Sequence, residues 1–80
     1  MELGKLVKMA NQIGEFFAAE ANAQAAELGI AEHLRKFWAP SMRSELLDAL
    51  DRPGAADALA PLVRSALQHH RDALQPRQAA

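Results

Sequence analysis

Eighty residues leave room for one small domain, and chains this short bury a limited share of their surface, so a partner that adds buried area is an expected source of stability. The lack of cysteine excludes disulfides and cysteine-ligated zinc or iron–sulfur centres, and a formal net charge of -1 gives no cationic field to draw nucleic acid. Half of the residues are hydrophobic, but 18 are alanine, and the β-branched residues are confined to Val7, Ile13, Ile30 and Val63. With good helix formers throughout, this predicts an all-α fold: a small bundle of three to four short helices, completed by packing on something larger.

The first predicted helix runs from about residue 2 to about residue 19. At 100° per residue, Leu3, Leu6, Val7, Ala10, Ile13, Gly14 and Phe17 share one face, with Lys5, Lys8, Asn11, Gln12 and Glu15 opposite. Met9 and Phe16 widen the apolar stripe at its edge. After a soft stretch at 20–24, the second helix runs to about Trp38, with Ile30, Ala31, Leu34, Phe37 and Trp38 on one face and Glu32, His33, Arg35 and Lys36 elsewhere. Pro40 ends it, because proline lacks an N–H and pushes the residue before it towards extended geometry.

The same proline suits the first turn of a third helix, about 41–51, whose apolar arc holds Met42, Leu46, Leu47, Ala49 and Leu50, with Arg43 inside it. The Arg52-Pro53-Gly54 turn and the alanine-rich stretch at 55–60 read as the least specified part of the chain, where changes of length are expected to be tolerated best. Pro61 opens a fourth helix that places Leu62, Val63, Ala66, Leu67, His70 and Leu74 on one face before Pro76 stops it. Residues 1–76 are thus expected to form one helical domain, followed by a disordered tail at 77–80.

Few residues carry chemistry. His69 and His70 are adjacent and point about 100° apart on a helix, unlike the i, i+4 pairs of helical zinc sites, and His33 has no such partner, so no metal is expected. Glycine-rich phosphate loops and nucleophile-elbow serines are absent from the sequence, and Glu15, Glu32 and Asp48 fall on predicted solvent faces. Autonomous catalysis is therefore not expected. No apolar run approaches the roughly 20 residues that span a bilayer, so no membrane contact is expected and the cytoplasm is the expected compartment. Phe37 and Trp38 beside Pro40, Met42 and Arg43 combine residue types enriched where proteins meet, although the same aromatics commonly form the core of a small helical domain.

Two stretches have a family likeness: Leu6-Val7-Lys8-Met9-Ala10-Asn11-Gln12-Ile13-Gly14-Glu15-Phe16-Phe17, and Gly29-Ile30-Ala31-Glu32-His33-Leu34-Arg35-Lys36-Phe37-Trp38-Ala39-Pro40-Ser41-Met42-Arg43. Together with the segment from Pro61 to Arg71, they closely resemble the delta subunit of NAD-dependent, molybdenum-type formate dehydrogenase. The resemblance implies a non-catalytic accessory subunit that binds and stabilises, or helps to assemble, a cytoplasmic enzyme complex. It further implies an alpha subunit carrying a bis-molybdopterin guanine dinucleotide and iron–sulfur clusters, a beta subunit carrying FMN and the NAD site, and a gamma subunit carrying a further cluster. This chain would hold no cofactor and would dock mainly on the alpha subunit.

The residues expected to meet the partner are Phe16, Phe17, Phe37, Trp38, Met42 and Arg43, with His33 and Arg35 as polar neighbours and Asn11 and Gln12 offering hydrogen bonds. Two departures from the family pattern stand out: no proline follows Phe17, and Ala60 replaces a better N-cap residue before Pro61. The alternative is a stand-alone helical interaction protein or DNA-binding regulator. It is disfavoured because the third helix has only Arg43 and Arg52 near its ends to face phosphates.

Overall fold

The computed structural model describes residues 2–76, so the expected tail at 77–80 lies outside the described residues. Among the described residues five helices follow in order: α1 (Leu3–Phe17), α2 (Ala23–Phe37), α3 (Pro40–Leu50), α4 (Pro61–His69) and α5 (Arg71–Leu74). No strand occurs among the described residues, and the fold is all-α as its composition requires.

Several boundaries have a local cause. Asn22 caps α2, its Oδ1 accepting from the backbone N–H of Gln24 at 2.8 Å and of Ala25 at 3.2 Å. These bonds satisfy two of the N–H groups that a helix start leaves without partners. At the other end Arg35 and Lys36 lie in the last turn, where a cation offsets the negative end of the helix dipole. Pro40 and Pro61 stand at the first positions of α3 and α4, and neither Ala39 nor Ala60 provides a side-chain cap.

The core is where apolar residues of all five helices meet. Leu6, Ile30, Leu34, Leu46, Leu47, Val63, Leu67 and Leu74 are its largest fully buried side chains. α2 lies at the centre, packed chiefly on α4 and also on α1 and α5. α1 reaches α4 closely because Gly14 faces Val63: a Cβ at position 14 would overlap the valine side chain.

Two expectations are corrected here. The predicted fourth helix is broken at His70, where φ -112 and ψ 23 leave the helical region and α5 begins at once. Arg71 then makes a two-pronged ion pair with Asp51 at 2.6 and 3.1 Å, and Leu74 turns into the core. The sequence carries no glycine or proline at this point to announce the break.

The stretch 52–60, expected to be loosely specified, is tied down instead. Ala56 and Leu59 are buried, Arg64 donates to the Ala56 carbonyl, and Asn11 of α1 holds both Ala58 and Ala60. Gly54, at φ 80, makes the turn that a residue with a Cβ would resist.

Candidate partner interface

A groove of about 550 Å³ opens between α1 and α2, lined by Met9, Gln12, Ile13, Phe16, Phe17, His33 and Trp38. Its shape depends on how closely the two helices approach at their α1 C-terminal end. The Phe17 ring rests on Gly29, where a Cβ would come within 2.5 Å of ring carbons. Glycine at 29 therefore lets the half-buried Phe17 lie flat between the helices while Phe16, the next residue back, projects from the edge.

Four rings form a continuous series over this surface. Phe16 meets Phe17 edge to face at 5.0 Å between centroids, Phe17 meets His33 at 6.5 Å, and His33 meets Phe37 at 4.9 Å. These separations lie in the range where aromatic pairs attract beyond simple area burial. The two ends of the series are the most exposed, Phe16 at 75% and Phe37 at 72%. Leu28, the remaining large apolar side chain with marked exposure among the described residues, lies on α2 outside the ring series, and single exposed leucines are common on protein surfaces.

The residues expected to meet a partner fall into separate groups. Gln12, Phe16, Phe17 and His33 line the groove, and Phe37 extends it. Arg35 and Arg43 lie together elsewhere, with Arg43 donating from one guanidinium nitrogen to the Arg35 carbonyl at 3.4 Å. Met42 is half-buried against the core and belongs to neither group.

Three placements correct the sequence reading. Trp38 is a member of the core, only 7% exposed, and contributes to the floor of the groove rather than to a projecting surface. It is the residue that ends α2, its N–H still donating to the Leu34 carbonyl, so its side chain keeps the register of that buried leucine while ψ 140 redirects only the chain that follows. Phe37, four residues after the half-buried His33, falls outside the core face assigned to it. Asn11 is engaged within the chain: its Nδ2 donates to the Ala58 carbonyl and its Oδ1 accepts from the Ala60 N–H, both at 2.9 Å. An amide opposite the core stripe carries no sequence signal that names the backbone it will bond.

Met9 and Ile13 line the groove without having been singled out. The spacing Met9, Ile13, Phe16 follows the i, i+4, i+7 rule for one helix face, and that was the available signal. Among the described residues no cluster of three or more metal-ligating side chains forms, and no helix is long and apolar enough to cross a membrane.

Residues 5–67 match the model of a protein family described as the NADH-dependent formate dehydrogenase delta subunit, FdsD. No curated protein and no solved structure matches the chain.

Proposed function

The chain belongs to that family of formate dehydrogenase delta subunits, and on this premise we propose that it is a non-catalytic subunit that docks its aromatic groove on the large catalytic alpha subunit and stabilises the assembled, cofactor-loaded enzyme. The observation that carries this reading is the ring series ending in Phe16 and Phe37, both about three-quarters exposed and joined through a groove rather than scattered. Large aromatics left in water beside a concave apolar surface fit the core of a protein interface, where such side chains supply most of the binding energy.

Binding of this kind stabilises a complex by mass action: whatever associates with the assembled state and not with its separated parts shifts the equilibrium towards assembly. The molybdenum centre, iron–sulfur clusters, FMN and NAD site are assigned to the alpha, beta and gamma subunits of a cytoplasmic complex. A cysteine-free chain offers no thiolate to ligate an iron–sulfur cluster, which supports that division of labour.

The test is co-expression of the tagged chain with the other subunits, as the native sequence and with Phe16→Ser plus Phe37→Ser. Because both rings are exposed in the chain itself, the double variant is expected to keep its helical circular dichroism while it loses the co-purifying catalytic subunits and the yield of intact enzyme falls. Recovery of the full complex with the double variant would refute docking through this surface.

A further inference from the structure

A second concavity, of about 620 Å³, lies between the C-terminal part of α2, the start of α3 and the end of α5. It is lined by Arg35, Pro40, Arg43, Asp72, Ala73, Gln75 and Pro76. Two arginines and one aspartate thus share the lining, and none of the three belongs to an ion pair among the described residues. Arg43 is the more telling of the two. Its Nε is buried without a hydrogen-bond partner, and its remaining bond within the chain is the long one, 3.4 Å, to the Arg35 carbonyl.

A buried donor on a charged group is costly to leave unpaired, and a guanidinium presents its donors in a planar fork that matches the two oxygens of a carboxylate. The setting adds to this preference. Pro40 brings the N-terminal end of α3 to the cleft, and that helix has neither a side-chain cap nor an acidic residue in its first turn.

We propose that this cleft is a carboxylate-binding site, filled by an aspartate or glutamate side chain of the protein on which the chain docks. The inference rests on the docking reading above, but it uses a different surface. Arg35 follows His33 by two residues and so lies about 200° around α2 from the ring series. A partner occupying both would grip the C-terminal end of α2 from two sides, with the groove supplying apolar area and the cleft fixing orientation through a directional ion pair.

The test uses the intact complex and a zero-length carbodiimide, which joins an amine to a carboxylate in direct contact. With Arg43→Lys, the introduced amine is expected to cross-link to an aspartate or glutamate of another subunit, identified by mass spectrometry of the digest. Arg43→Gln is expected to shorten the residence of the chain on the complex at least about tenfold at low salt. Should Arg43→Gln reduce helical content, Arg35→Gln, at an exposed position, carries the same measurement. A cross-link to the chain's own Asp72 alone, or no cross-link together with unchanged residence, would overturn the assignment. Failure of the native chain to enter the complex at all would defeat the docking reading. Loss of the complex in the Phe16 and Phe37 double variant, with position 43 silent, would defeat the cleft alone.

Discussion

Replacing Asn11 with alanine separates two roles for one side chain. Asn11 belongs to the family-like stretch on α1, where it was expected to bond a partner, yet both ends of its amide are spent on the chain's own 52–60 segment, at 2.9 Å each. Each such bond contributes about 0.5–1.5 kcal/mol net, so their joint loss is expected to cost roughly 1–3 kcal/mol. For 80 residues the total stability is on the order of 4–12 kcal/mol, and about 1 kcal/mol moves the midpoint of a domain this size by about 4–8 °C. Asn11→Ala should therefore lower Tm by roughly 4 to 24 °C when thermal melts of the full chain are followed by circular dichroism at 222 nm. Asn11→Asp keeps the oxygen that accepts from Ala60 but sets a second oxygen against the Ala58 carbonyl, and it should fare no better than alanine. An unchanged Tm accompanied by loss of the complex would refute this reasoning and return Asn11 to the partner.

Two further outcomes follow from the packing. Trp38→Ala removes a buried ring from the core and should cost about 3–5 kcal/mol, much of the chain's stability; denaturant titration checks this, and a variant that unfolds like the native chain would show the ring to be dispensable to the core. Gly14→Ala forces a methyl group into Val63 and should destabilise by about 1–3 kcal/mol, with much of the loss recovered by combining it with Val63→Ala; the same titration on both variants checks it, and a destabilisation that Val63→Ala leaves untouched would place the clash elsewhere.

The periodicity of the apolar residues located the helices well, because burial of one stripe decides helix position more firmly than propensity does. Leu6, Val7, Ala10, Ile30, Leu34, Leu46, Leu47, Val63 and Leu67 were all expected on core faces and all are buried. What periodicity registers poorly is the edge of a stripe. Trp38 follows Phe37 by one position, about 100° around the wheel, and it keeps the register of the buried Leu34 while Phe37 keeps that of the half-buried His33, so the two rings meet opposite fates. The break at His70 is illegible for a different reason. It coincides with contacts distant in sequence, including the Asp51 to Arg71 pair, and no local residue choice encodes it.

The candidate interface shows the same division. Phe16 was placed at the stripe edge from sequence and is indeed exposed, but its continuity with Phe37 through Phe17 and His33 depends on the crossing of α1 over α2. That crossing depends in turn on the space made by Gly29.

The span from Asn11 to Ala58 and Ala60, 47 and 49 residues, bears on how the protein is made. A ribosome delivers the chain from its N-terminus, so α1 emerges long before the segment it must hold, or the α4 residue Val63 that packs on Gly14. Until Val63 has left the exit tunnel, the apolar side of α1 has no completed seat. Contacts so remote in sequence form late and leave greasy surface uncovered meanwhile. For this protein synthesis is itself an interval of exposure, closed only when the last helices arrive.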